Sequence, residues 1–160
     1  GVMGGDRVGN VLVDKGGEFY HGFTYSGHPV ACAVARATLQ VLRAEKLVDR
    51  VREAVIPAFS SRLQKLADHP LVGEVRSVGL MGALELVPHK ASRQRFAKEL
   101  KAGERCRDFC IGQGLVMRAV GDTMIIAPPF ITTEAQLDEL VDKAWKALDL
   151  TQRALGQSRV

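Results

Sequence analysis

His21-Gly22-Phe23-Thr24-Tyr25-Ser26-Gly27-His28-Pro29 sets glycines, hydroxyls and aromatics against the start of an apolar helix. Gly22 and Gly27 let the backbone approach a ligand closely, and Thr24, Tyr25 and Ser26 offer hydroxyl donors to an anion. The stretch reads as a phosphate-gripping loop. Pro29 suits the first turn of the helix that follows. Val30, Ala31, Cys32, Ala33, Val34 and Ala35 are apolar on every face of that helix, which predicts a helix start buried on all sides.

Upstream of the loop, Asp6 to Lys15 predicts a short helix stopped by Gly16-Gly17. Downstream, Leu47, Val51, Val55, Phe59, Leu63 and Leu66 recur at helical spacing, and Pro57 predicts a kink or split among them. Val72 to Val87 is strand-like, with Gly73, Gly79 and Gly82 arguing for bulges or close backbone packing. A helix carrying Phe96, Leu100, Cys106, Phe109 and Cys110 is expected to end near Gly112 to Gly114. Leu115 to Val120 and Thr123 to Ala127 then read as strands joined by Gly121-Asp122, the signature of a type II′ hairpin. Pro128-Pro129 stops the sheet. Thr133-Glu134-Ala135-Gln136 is a capping box for a last helix with an apolar stripe at Leu137, Leu140, Val141, Ala144 and Leu148. The alternation predicts an α/β or α+β class in two packed layers. A domain boundary is expected near Arg43 to Leu47.

The 160 residues suffice for one ordinary domain and equally suit the end of a larger protein. With 46% apolar and 25% charged residues the composition is that of a globular chain. No run approaches the ~18 to 20 apolar residues of a membrane span. The formal charge of +4 is dispersed among Asp and Glu, which argues against nucleic acid as a partner. Cys32, Cys106 and Cys110 lack paired or metal-ligand spacing and read as reduced thiols of a cytoplasmic protein. Gly1-Val2-Met3-Gly4-Gly5-Asp6 lacks the features of a signal peptide, and a start without methionine points to residues missing upstream.

Arg118 is the most pointed single residue outside the loop. Alternation puts it on one strand face with Val116 and Val120, where a guanidinium needs an anion, either from a ligand or from a structural salt bridge. Thr24 on its own is equally a turn hydroxyl. His21 and His28 are more simply packed or capping histidines than metal ligands or acid–base groups, and no metal site is expected. Glu85 lacks a partner carboxylate and is read as structural. No G-x-S-x-G elbow, Walker loop or G-x-G-x-x-G fingerprint is present, which disfavours serine hydrolases, P-loop nucleotide hydrolases and dinucleotide oxidoreductases.

With Thr24 and Arg118 both in view, the chain resembles the class III aminotransferases, pyridoxal-phosphate enzymes of fold type I. The likeness rests on His21 to Val30, His69 to Arg76, Gly79 to Leu86 and Met117 to Asp122, in the family's order. Met117 to Pro129 looks most like the members that use pyruvate as amino acceptor and omega-amino acids or polyamines such as putrescine as donor. The resemblance implies the C-terminal part of an α/β fold type I transferase, with residues 1–44 ending the large domain and 45–160 forming the small one. It implies pyridoxal 5'-phosphate as cofactor, amine and keto-acid substrates, and a homodimer with shared active sites. Thr24, with Phe23 beside it, would bind the phosphate of the partner subunit's cofactor. Arg118 would receive the substrate carboxylate and swing away when the donor has none, which overturns the salt-bridge reading.

The family's Schiff-base lysine has no match among Lys15, Lys46, Lys65, Lys90, Lys98, Lys101, Lys143 and Lys146. The aspartate that pairs with the pyridine nitrogen, the stacking aromatic and the main phosphate loop are also unmatched. The chain alone is therefore expected to be catalytically incomplete, with weak or no cofactor binding. The alternative is a non-catalytic truncated protein or interaction module retaining the small-domain fold. The family's aminomutase and decarboxylase relatives are disfavoured by the setting of Arg118.

Overall fold

The computed structural model describes residues 4–18, 20–91 and 94–157; Gly1, Val2 and Met3, part of the segment read above for a signal peptide, lie outside them. The chain divides into two compact units, residues 1–41 and 42–160.

In the first unit, α1 spans Asp6–Lys15, with Asp6 in its first turn and Lys15 in its last, each placed favourably on the helix dipole. Gly16 ends it and Gly17 follows in the left-handed region (φ 65°). The loop from residue 20 leads into α2, Pro29–Ala44, with proline at the first position as the sequence predicts. The expected burial of α2 is not observed. None of its residues is buried, and Val30 and Val34 are 64% and 60% exposed. The apolar pattern specifies a helix built to be covered, and the described residues supply no cover.

The second unit is two-layered, with helices on one face of a four-stranded antiparallel sheet ordered β1-β2-β4-β3. Helix α3 (Leu47–Arg50) passes into a π turn (Val51–Val55), then α4 (Ile56–Gln64) and a 3-10 turn (Lys65–Asp68). Pro57 explains the interruption: it has no N–H for an i−4 carbonyl, so the chain widens to π geometry before it and restarts α4 with proline in the first turn. The helical spacing survives, since Leu47, Val51, Val55, Phe59, Leu63 and Leu66 are all buried.

Val72 to Val87 is not one strand. It is a hairpin, β1 (Val72–Val78) and β2 (Met81–Leu86), reversed at Gly79, whose φ is 58°. Gly73 supplies the expected irregularity, where the register shifts between Val72 and Glu74. The helix expected from Phe96 starts later, as α5 (Ala102–Gly112), because Lys101 adopts a left-handed φ of 47° between a short 3-10 turn and the helix. Strands β3 (Arg118–Val120) and β4 (Thr123–Ile126) follow, with Val120 opposite Thr123 and Gly121 at φ 57°, as a type II′ turn requires.

Helix α6 (Glu134–Gln157) opens on the capping box in full. The Thr133 N–H donates to Gln136 Oε1 at 2.9 Å, and the Gln136 N–H donates to Thr133 Oγ1 at 3.3 Å. Gly82, Leu84, Leu86, Met124 and Ile126 face the helices, where they meet Phe59, Leu63, Cys106, Cys110, Leu137 and Leu148. Cys106 and Cys110 are free thiols packed in this core, while Cys32 is exposed. Arg62 clamps α4 to α6 through Asp138 at 2.7 Å and Glu134 at 2.8 Å; that contact raises the Arg62 pKa and lowers that of Asp138.

Candidate functional site

The loop before α2 is folded on itself. The Ser26 N–H donates to Phe23 O at 2.9 Å while the Phe23 N–H donates to Ser26 Oγ at 3.1 Å, closing a four-residue turn from both ends. The His28 N–H reaches Tyr25 O at 3.2 Å, with Gly27 between them at φ 70°. His28 also caps α2, since its Nδ1 accepts the Ala31 N–H at 3.4 Å. Two edge-on ring pairs line the loop: His21 on Phe23 at 5.5 Å and Tyr25 on His28 at 6.3 Å. The histidines are thus a packed and a capping residue. The backbone of Phe23 is spent on the turn and its ring is 75% exposed. Thr24, at the tip, is exposed and has no hydrogen bond to the described residues, so its N–H and hydroxyl are not spent within the loop. A Cβ at Gly22 would meet nothing within 4 Å, leaving room beside the tip. Donors of this kind suit a phosphate oxygen.

Arg118 opens β3, the edge strand, opposite Ile125. Met117 is buried and Ala119 packs on the core, so alternation turns Val116, Arg118 and Val120 to the outer face, where all three are exposed. The guanidinium has no ion pair or hydrogen bond to the described residues. The described residues do not supply the salt-bridge partner that strand geometry allowed, and the exposed guanidinium shares its face with Val116 and Val120; a planar fork of this kind suits a carboxylate in bidentate geometry.

Glu85 is structural. Its Oε2 accepts the Thr123 hydroxyl at 2.9 Å and Arg76 at 3.4 Å, and Arg76 also holds Glu74 at 3.1 Å. Asp122, read from the sequence only as a turn residue, has a wider part here: its Oδ1 accepts the Gly103 N–H at 3.2 Å and its carbonyl accepts the Leu86 N–H at 2.9 Å. The only sequence signal for it is an aspartate in a two-residue turn. Thr24 and Arg118 lie in different units. Among the described residues no three His, Cys, Asp or Glu side chains gather as a metal site, and no helix is long and apolar enough to cross a membrane.

The sequence model of the aminotransferase class-III family matches residues 2–148. Putrescine–pyruvate aminotransferase of Pseudomonas aeruginosa is 52% identical over 155 residues, which are 97% of this chain and 34% of that protein. A mitochondrial gamma-aminobutyrate transaminase of Solanum lycopersicum is 39% identical over 144 residues, 90% of this chain and 28% of that one. Among solved structures, the PMP-bound aminotransferase of Vibrio fluvialis matches with TM-score 0.77 and 43% identity over 91% of this chain and 31% of its own. An omega-aminotransferase of Paracoccus denitrificans matches with TM-score 0.79 and 42% identity over 91% and 32%. The chain spans about a third of the length of the relatives it matches. Those matches, continuous across both units, establish that the chain belongs to the class III aminotransferases and has the α/β fold type I architecture of its solved relatives.

Proposed function

We propose that these residues are the C-terminal portion of a pyridoxal-phosphate-dependent aminotransferase subunit that moves an amino group from a primary amine, omega-amino acid or polyamine to pyruvate. Residues 1–44 end the large domain and 45–160 form the small one. The observation that carries the reading is Arg118, an exposed arginine without a partner among the described residues, on the outer face of the edge strand. It docks the carboxylate of pyruvate or alanine, and an amine donor without a carboxylate leaves it free. The likeness to a putrescine–pyruvate aminotransferase supports that substrate pair.

Thr24, with Phe23 beside it, is the proposed contact to the cofactor. The Thr24 hydroxyl and N–H would hold a phosphate oxygen, in this reading that of the partner subunit of a cytoplasmic homodimer. When bound, pyridoxal phosphate supplies the electron sink for amino-group transfer. None of the lysines here corresponds to the one that would attach it, so the 160 residues alone are catalytically incomplete and bind the cofactor weakly or not at all. Replacing Arg118 by Ala in the complete cofactor-loaded subunit removes a bidentate charge-assisted contact of about 2–3 kcal/mol, a 30- to 150-fold rise in the pyruvate KM. Turnover of a carboxylate-free amine in its own half-reaction stays within about twofold. An unchanged pyruvate KM would sink the assignment.

A further inference from the structure

Strand β3 has three residues and one neighbour, β4, paired at Arg118↔Ile125, Ala119↔Met124 and Val120↔Thr123. A ladder that short does not hold its own position. What fixes β3 is α5, at both ends of the strand. On the entering side the Leu115 N–H donates to Cys110 O and the Gly114 N–H to Ile111 O, both at 2.9 Å, with Gly114 at φ 72° making the reversal. On the leaving side the Gly121-Asp122 turn is seated on the opposite end of α5. Gly103, second residue of the helix, has one of the first-turn amides that no helical carbonyl serves, and Asp122 Oδ1 takes it at 3.2 Å. A carboxylate there is also favoured by the helix dipole.

The seat is shaped as well as bonded. A Cβ on Gly103 would run into the Gly121 carbonyl oxygen and lie 3.2 Å from Asp122 Cα, so only glycine permits this approach. Asp122 therefore joins three elements: the start of α5 through its side chain, β2 through Leu86, and β3 through the turn itself. Ala102, Cys106 and Cys110 bury α5 in the core, so the seat is rigid.

We propose that Asp122 is a positioning residue for Arg118: its carboxylate latches the β3–β4 turn to the N-terminus of α5, and so fixes the strand from which the guanidinium meets a carboxylate. The inference rests on the reading of Arg118 given above. Asp122 touches no substrate, and it acts on those substrates that Arg118 holds.

The test compares Asp122→Ala, Asp122→Asn and Arg118→Ala in the complete cofactor-loaded subunit. A misplacement of about 1 Å costs on the order of 100-fold, so a partial release of the strand in Asp122→Ala raises the pyruvate KM about 5- to 10-fold. The half-reaction with a carboxylate-free primary amine stays within twofold. Asp122→Asn, which keeps an acceptor oxygen for Gly103, restores the pyruvate KM to within about twofold of the parent. Amide exchange measured by mass spectrometry rises over residues 101–105 and 118–125 in the alanine variant and not in the asparagine one. Should Asp122→Ala not fold, Asp122→Gly, which removes the same acceptor, carries the same readouts.

A pyruvate KM unchanged in Asp122→Ala while Arg118→Ala raises it overturns the positioning role alone. Equal losses with pyruvate and with the amine also overturn it, since they report general damage. An unchanged KM in Arg118→Ala overturns the reading of the arginine and this inference with it.

Discussion

Lowering the pH should destabilise this chain through His69, before most carboxylates take part. His69 lies at the end of the 3-10 turn with its side chain 1% exposed. Its Nδ1 accepts the Leu71 N–H at 3.1 Å, so the proton of the neutral ring sits on Nε2, which donates to Asp149 at 3.3 Å. The ring stands edge-on to Trp145 at 5.0 Å. Burial holds its pKa below the ordinary 6.5; Asp149 pulls it partly back up and Lys90 adds to the lowering. Protonation would set a second N–H against the Leu71 donor.

The native state therefore binds fewer protons at this group than the unfolded chain does. Stability is complete above about pH 6.5 and falls as pH drops from there toward the native pKa, by at most about 1.4 kcal/mol per pH unit for one proton. A slope of that sign is measurable against a total stability of about 5–15 kcal/mol. Urea titrations at fixed ionic strength from pH 8 to 5.5 isolate this group. Asp138 and Glu139, held low by Arg62 and Lys143, add stability that is lost only as pH falls below their ordinary 3.8 and 4.5. His69→Asn keeps an acceptor for Leu71 and removes the slope, at a constant cost for the lost ring. Asp149→Asn extends the slope to lower pH, because the native pKa drops further. Parallel pH profiles for the parent and His69→Asn would refute the reasoning.

Three further outcomes are expected. Gly82→Ala should lose about 1–3 kcal/mol in urea, since its Cβ would come within 2.5 Å of Leu63 Cδ2 and 2.9 Å of Phe59 Cζ, both on buried side chains; a neutral result would mean the sheet-to-helix spacing is soft. Thr133→Ala should cost about 1 kcal/mol, and a double-mutant cycle with Gln136→Ala should show coupling between the two, as their reciprocal bonds require. In the complete subunit, Thr24→Ala should weaken cofactor retention about tenfold, near 1.4 kcal/mol. Dialysis followed by absorbance measures it, and undiminished retention would remove Thr24 from the phosphate site.

Much of this fold was legible because its boundaries are written locally. The stop at Gly16-Gly17, the break before Pro57, the turn at Gly121-Asp122 and the reciprocal cap at Thr133 and Gln136 each depend on residues within a few positions of one another. The failures have a common cause in partners that lie far along the chain or carry no turn chemistry. Gly79-Leu80 reverses the chain with a buried leucine in the turn, so Val72 to Val87 reads as continuous strand. Lys101 takes a left-handed conformation that nothing in a lysine announces, so α5 reads too long. The pattern of α2 states what it needs and not who provides it. Thr24 and Arg118, the proposed ligand contacts, stood out by residue type and setting, whereas the bond from Gly103 to Asp122 spans 19 positions and has no sequence signature.

Fastening β3 at both ends to one helix leaves that edge of the sheet few ways to move. The backbone there has almost no slack, and the mobility that remains belongs to the rotatable bonds of the Arg118 side chain. Freezing such a chain costs about 2 kcal/mol of rotamer entropy. Under the proposed role of Arg118, a ligand with a carboxylate would have to overcome that cost, and a ligand without one would leave the entropy of the side chain intact. Discrimination between the two would then be tuned by how crowded the guanidinium is, through Val116, Val120 and Ile125, without any rearrangement of the fold.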